Sequence, residues 1–352
     1  MLGYIIKRLL LIIPTLLAII TINFVIVQFA PGGPVETTMA QLKGMSQIGE
    51  GGMAGKASAS GQRKSTVGMD EELVAYIQKL YGFDKPPLER FWIMVKNYST
   101  FTLGDSYFRN KAVGDMIIER IPISLSLGLW STLLIYLISI PLGIRKAVKN
   151  GENFDAWTSF VVAFAYALPS FLVAIILISI FASDGPMSYF PIRGIVSPNW
   201  SDLSLVAKVT DYIWHVTLPT ITLTIAGFAT ITMLTKNSFL EEIHKQYVVT
   251  ARAKGLTENQ VRYGHIFRNA MLIVITSIPD ALIKVFITGS LLIEIIFSIE
   301  GIGLLSYESA VARDYPVVFG TLYIFTLIGL VANLITDITY VVVDPRIDFE
   351  KR

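Results

Sequence analysis

Long apolar runs alternate with polar intervals along this chain, and the runs are longer than the helices of a soluble domain. The first is LLLIIPTLLAIITINFVIVQFA, residues 9–30. As a helix it is ~33 Å long, enough to cross the hydrocarbon core of a bilayer. Further runs fall at about 122–144, 156–182, 217–235, 270–296 and 317–342. The pattern predicts an all-α integral membrane protein with six transmembrane helices. Pro14, Pro141, Pro169, Pro219 and Pro279 lie within or at the ends of these runs. Inside a bundle, neighbouring helices can satisfy the carbonyls a proline frees, so these positions predict kinks. Ser, Thr and Gly recur in the same runs, as in SLSLGLWST and TITLTIAGFATIT, which suits close helix–helix packing.

The polar intervals fix an orientation. A cleaved signal peptide is the rival reading of residues 9–30. That run exceeds the roughly 7–15 residues of a signal core, and APGGP offers no small-x-small cleavage site, so a retained first helix is expected. With the N-terminus inside, the inner segments carry Lys7, Arg8, Arg145, Lys146, Lys149, Lys236, Lys245, Arg252, Lys254, Arg262, Arg268, Arg346, Lys351 and Arg352. The two short outer loops carry only Arg193, Lys208 and Arg313. This asymmetry places both termini of a multi-pass membrane protein on the inner, cytoplasmic side.

Three regions follow: 1–30 as N-terminus and first helix, 31–121 as an extracytoplasmic subdomain, and 122–352 as the core that holds helices two to six. The second is too long for a plain connection. Its residues 49–68, GEGGMAGKASASGQRKSTVG, are Gly/Ser-rich and predict a flexible loop. Beyond it, Asp70 is a candidate N-cap, and Lys85-Pro86-Pro87 breaks the stretch into two short helices. Trp157, Trp200 and Trp214 lie near span ends or in an outer loop, where indole rings anchor at the membrane interface.

Composition narrows the chemistry. Of 352 residues, 53% are hydrophobic and 16% charged, against about 25% charged in a soluble domain. A net charge of +2 does not point to nucleic acid. The absence of cysteine excludes disulfides and thiolate metal sites. His215, His244 and His265 form no ligand spacing, and no nucleophile–base arrangement is visible, so neither a catalytic residue nor a metal site is expected. Gly55-Lys56-Ala57 superficially resembles a phosphate loop. That motif needs a glycine where Glu50 stands and Ser or Thr where Ala57 stands.

One inner interval has structure of its own. In QYVVTARAKGLTENQVRYGHIFRNA, residues 246–270, Gly255 is a natural helix stop. Thr257 then opens T-E-N-Q, a capping box with Gln260, and Leu256 and Val261 are placed for a hydrophobic staple. The local signals predict helix, sharp turn, helix, with small residues Ala251, Ala253 and Gly255 at the apex beside Arg252 and Lys254. A basic inner loop by itself is usually just solvated; a capped helix pair with a small-residue apex favours docking on another surface.

TARAKGL followed by HIFRNA resembles the EAA-type cytoplasmic loop of ABC importer permeases. IIKRLLLIIPTLLAIITINFVIVQFAPGGP, SYFRNKAVGDMIIERIPISLSLG, SLLIEIIFSIEGIGLL and RDYPVVFGTLYIFTLIGLVANLITDITYVVVDPRID are similar to the B-type permeases of oligopeptide, dipeptide and nickel importers. Most of the chain is covered. The resemblance implies a type I importer permease fold, a peptide-transporting subunit and no enzyme activity on this chain. The loop 236–269 would be the coupling loop, and Thr250, Ala251, Arg252, Ala253, Lys254, Gly255 and Leu256 would contact the ATPase. Implied partners are a second permease, an ATPase with two nucleotide-binding domains and an extracytoplasmic peptide-binding protein. ATP and Mg would sit on the ATPase, with no cofactor here. SIPLGIRKAVKNGENFDAW, MLTKNSFLEEIHKQYVVTARAKG and the terminal DPRIDFE are similar to a branch that also admits peptide–nucleotide compounds of the microcin C kind.

Asp280 and Lys284 lie four residues apart on one face of the fifth run. With Glu294 they are candidates for the translocation path, and Glu300 for its outer mouth. For Asp280 and Lys284, mutual neutralisation against a neighbouring helix is the favoured reading, because the i, i+4 partner explains the pair without a ligand. Asp337 in the last run reads as a helix–helix hydrogen bond. Two other functions stay open on residues alone: an ion-gradient-driven secondary transporter for peptides, and a membrane-anchored receptor. The first typically shows internal repeats and charged relays. Neither explains the helix pair at Gly255.

Overall fold

The computed structural model describes residues 2–29, 85–182, 186–279, 281 and 291–343. The expected loop 49–68, the cap at Asp70, and Asp280 and Lys284 lie outside the described residues. Within them there is no strand; two isolated β-bridges join Asp105 to Ala112 and Ala182 to Phe190.

Four described helices are long and apolar enough to cross a membrane. They are α1 (Leu2–Phe29), α3 (Val113–Val148), α6 (Leu205–Ile243) and α12 (Tyr315–Val343), with α2 (Pro87–Ser99) between the first two. Pro14, Pro141 and Pro219 sit inside continuous helices. Pro169 does not. The run 156–182, expected as one span, is two helices, α4 (Asn153–Ala167) and α5 (Ser170–Phe181), bent by 97°. A proline ring pushes the preceding residue out of the α region. Leu168 accordingly has φ −80° and ψ 122° and ends α4, and α5 restarts after Pro169. The bent pair makes a fifth candidate span. The fifth run, 270–296, falls partly outside the described residues.

The chain forms two compact units. The first comprises Met1–Arg8, Ile118–Leu305 and Ile328–Arg352. It also contains α7 (Gln246–Ala253), α8 (Glu258–Val261), a π-turn (Arg262–Ile266), α9 (Phe267–Thr276), α10 (Leu291–Ile296) and the start of α11 (Ile302–Ala312). One apolar cluster joins α3 and α6 to the segment 246–274 through Ile144, Phe239, Val248, Val261 and Met271. Another joins α3, α5, α6 and α10 through Leu127, Ala174, Leu223 and Ile293. The start of α1 is tied to α12: Tyr4 donates its hydroxyl to Asp337 Oδ2 at 3.0 Å, and an Arg8 guanidinium nitrogen lies 3.0 Å from the same oxygen.

The glycines and threonines of the runs mark where α3 and α6 meet. A Cβ at Gly143 would lie 2.6 Å from Thr235 Cβ and 2.8 Å from the Thr232 carbonyl oxygen. Only the missing side chain allows that backbone approach. Gly143→Ala is expected to lower the melting temperature of the purified protein in detergent, because a tightly packed contact cannot take an added methyl at less than about 1–3 kcal/mol. Gly114→Ala in the same helix is the control. Nothing lies within 4 Å of that position, and alanine favours a helix over glycine, so the melting temperature should hold or rise.

The second unit comprises Leu9–Ile117 and Ser306–Leu327, segments that the partition into 1–30, 31–121 and 122–352 does not group. Pro87 opens α2, where its missing N–H costs nothing. Buried Tyr98 at the other end packs edge-on against Tyr323, ring centres 5.0 Å apart. The connection to α3 turns through positive φ at Phe101, Gly104 and Asn110. It is fastened to Asp314: Ser106 Oγ donates to Oδ2 at 2.5 Å and the Tyr107 N–H to Oδ1 at 3.1 Å. Arg109 pairs with Glu308 at 2.7 Å.

Candidate functional site

The segment after α6 folds by rules that act over a few residues. α7 ends in a Schellman motif. The Gly255 N–H donates to the Arg252 carbonyl at 2.9 Å and the Leu256 N–H to the Ala251 carbonyl at 3.4 Å. Gly255 takes φ +79°, the left-handed conformation that a Cβ disfavours. Thr257 then caps α8. Its Oγ1 accepts the Gln260 N–H at 3.4 Å, and Gln260 Oε1 accepts the Thr257 N–H at 2.9 Å, the reciprocal box that T-E-N-Q predicts. Val261 is buried, and Leu256 packs against the same cluster.

Burial gives the pair two faces. Val248, Ala251, Val261 and Ile266 are buried in the unit. Val249 and Tyr263, 54% and 57% exposed, face outward, as do Thr250, Ala253, Lys254 and Gly255. A Cβ at Gly255 would meet nothing within 4 Å. Across the turn, Arg252 holds Glu258 with two bonds, Nε–Oε1 at 2.9 Å and Nη2–Oε2 at 3.2 Å. This guanidinium keeps the Glu258 carboxyl below its usual range, so the tie is complete at neutral pH and is lost as pH falls through the depressed value. Behind the turn a cavity of about 340 Å³ is bounded by the ends of α3 and α6, with Val148, Leu240, Ile243 and Ile266 beside His244 and Arg262.

A buried ionic cluster fixes the neighbouring helix ends. Lys146 at the end of α3 is 0% exposed. Its Nζ lies 3.0 Å from Asp155 Oδ1 and donates to the Asp155 carbonyl, Thr158 Oγ1 and Ser159 Oγ at 2.8–3.1 Å. Lys236 of α6 donates to both Asp155 carboxylate oxygens at 2.7–2.8 Å. The sequence counts both lysines as loop charges. The structure makes them the tie between α3, α4 and α6.

Residues 139–349 match the family described as the binding-protein-dependent transport system inner membrane component. The chain belongs to that family. It is 53% identical over 360 residues to the peptidoglycan transport system permease protein YejB of Agrobacterium fabrum, covering 99% of each chain. It is 54% identical over 366 residues to the inner membrane ABC transporter permease protein YejB of Escherichia coli O157:H7, covering 99% of this chain and 100% of that one. The oligopeptide transport system permease protein AppB of Bacillus subtilis is 35% identical over 350 residues, with 99% and 100% covered. The protein is thus a multi-pass inner membrane component of an ABC transporter, a class whose members named here are permeases and not enzymes.

Within this permease, only part of the expected path is described. Asp280 and Lys284 lie outside the described residues. Glu294 of α10 is 0% exposed within the chain. Its Oε1 accepts the Ser124 hydroxyl at 2.8 Å, and its Oε2 accepts the Leu304 N–H at 2.8 Å. Glu300 is exposed, with one carboxylate oxygen 3.6 Å from Arg120. Among the described residues no group of acidic and histidine side chains could hold a metal ion. Sequence reasoning missed the Lys146–Asp155–Lys236 cluster and the role of Ser124. Asp155 gave one faint signal, an acid at the edge of an apolar run; nothing local linked it to Lys236, 81 residues away.

Proposed function

We propose that this chain is the transmembrane permease subunit of an ATP-driven importer for oligopeptides, forming half of the translocation channel. The observation that carries the reading is the helix pair at Gly255. Its underside is locked into α3 and α6, while its apex presents small and apolar side chains with open space above. This is a rigid knob that another protein can grip. The partner is the ATPase subunit with two nucleotide-binding domains, which binds ATP and Mg. The remaining partners are a second permease and an extracytoplasmic peptide-binding protein. Both termini then lie on the ATPase side, in the cytoplasm. The name of the Bacillus subtilis relative supports the oligopeptide class, and the resemblance of the sequence to one branch of these permeases extends the proposal to peptide–nucleotide compounds of the microcin C kind.

Gly255→Trp tests the docking. The position is open in the chain itself, and the left-handed backbone costs a non-glycine residue about 1–2 kcal/mol, too little to stop insertion of the protein. We expect the variant to reach the membrane, with peptide uptake at background and ATP hydrolysis no longer stimulated by the loaded binding protein. Uptake at the wild-type rate would remove the helix pair from the coupling mechanism.

A further inference from the structure

We propose that Glu294 is a positioning residue, a cap supplied by α10 to the first turn of α11, and that Gly301 and Gly303 lack side chains so that its carboxylate can enter. The first N–H groups of a helix have no partner within it. A side chain just before the helix usually caps them, but α11 is preceded by Gly301, which has none. The partners come from elsewhere. Ser124 Oγ of α3 accepts the Ile302 N–H at 2.9 Å, Glu294 Oε2 accepts the Leu304 N–H, and Ser124 donates its proton to Glu294 Oε1. Three elements are joined through one buried carboxylate.

The glycines follow from that carboxylate. A Cβ at residue 301 would stand 2.3 Å from Glu294 Cδ and 2.3 Å from Oε1, and one at 303 would stand 2.8 Å from Oε2. Real Cβ atoms essentially never come so close, and a fully buried side chain has nowhere to retreat. So Gly301 is set by a side chain seven residues earlier, and Gly303 by that side chain together with the Leu291 backbone, whose Cα would lie 3.0 Å from a Cβ there; a flexible turn is not the reason for both.

The cap needs acceptors rather than charge. Among the described residues Glu294 has no ion-pair partner, and Arg120 pairs with Glu300 instead. A glutamine at 294 could accept the Leu304 N–H through its carbonyl oxygen and donate its amide to Ser124 Oγ. This separates the cap from a carboxylate that meets the amino group of a peptide, for which the charge is essential. In transport, the cap makes the joined ends of α3, α10 and α11 move as one piece. Loosening it slows the cycle and leaves substrate capture unchanged.

The test uses the assembled complex in proteoliposomes. Peptide uptake against concentration, and the melting temperature of the complex, are measured for Glu294→Gln, Glu294→Ala, Gly301→Ala and the double variant Glu294→Ala with Gly301→Ala. The expected result is a maximal rate within about twofold of wild type for Glu294→Gln. Glu294→Ala and Gly301→Ala should each lose about tenfold or more at unchanged KM, with a lower melting temperature. Removing the carboxylate makes room, so the double variant should melt higher and transport faster than Gly301→Ala alone. Glu294→Gln as impaired as Glu294→Ala would assign the role to the charge and overturn the cap. So would Gly301→Ala at wild-type level, or a double variant no better than Gly301→Ala. The kinetic half rests on the importer reading. If that reading fails, uptake is absent in every protein including wild type, while the order of melting temperatures still decides the cap.

Discussion

Asp155→Ala is expected to lower the stability of the folded protein more than any other single change considered. Asp155 is the only carboxylate in contact with Lys146 and Lys236 among the described residues. Removing it leaves two ammonium groups facing each other across a site where Lys146 has no access to water. Breaking a buried pair in this way costs about 3–5 kcal/mol, a large part of the roughly 5–15 kcal/mol that holds a typical protein folded. The Gly151 N–H, 3.3 Å from Asp155 Oδ2, also loses its acceptor. The measurement is the fraction of protein that elutes as a single species in detergent, followed by its melting temperature. Adding Lys146→Met to Asp155→Ala removes the buried charge that cannot escape. Lys236, whose side chain is partly exposed, can turn outward. The double variant is therefore expected to recover much of the loss. Asp155→Ala with a wild-type melting temperature would show that the lysines find other partners.

Asp314→Ala is expected to have the next largest effect, confined to the second unit. Asp314 is buried, and its two oxygens hold the Ser106 hydroxyl and the Tyr107 N–H. Ser106 Oγ in turn accepts the N–H groups of Phe108 and Arg109 at 3.3 and 3.0 Å. Truncation strands one hydroxyl and one backbone donor, each at about 1–3 kcal/mol. It also releases a turn in which Asn110 holds positive φ, a conformation that persists only when its surroundings enforce it. Limited proteolysis between residues 100 and 112 reads the outcome directly. Cleavage should be much faster in Asp314→Ala than in wild type, while Asp314→Asn, which keeps one acceptor, should fall between them. Equal cleavage rates for Ala and wild type would mean that Tyr98, Leu103 and Val113 hold the turn without the carboxylate.

How much of this was legible depends on the distance over which each interaction acts. Thr257 and Gln260 are three residues apart, and Gly255 needs only its own backbone, so T-E-N-Q and the lone glycine announced the turn and its caps, but not the π-turn Arg262–Ile266 that follows. Pro169 announced a disturbance but not its size. A kink and a 97° break begin from the same steric clash, and the packing of α5 against α6 decides between them. Lys146 and Lys236 were read as ordinary inner-loop charges because nothing within one turn of either marks burial. Glu294 read as a path residue because an acid in an apolar run suggests a cavity. Its partners, Ser124 and the Leu304 amide, stand 170 residues before it and 10 after it.

By itself the sequence determined that this is a helical membrane protein, that a capped helix pair stands between two of its apolar runs, and where that pair turns. Hydrophobic length, capping and the left-handed preference of glycine are local, and no tertiary contact is needed to express them. Only the tertiary structure decided which charges are buried and which glycines are obligatory. Whether Asp155 is a solvated acid or the centre of an ionic cluster depends on what α3 and α6 bring to it. Whether Gly301 is a hinge or a gap for a carboxylate depends on where α10 places Glu294. The cost of burying a charge, or of adding one methyl, is set by atoms distant in the chain, and the fold alone puts them there.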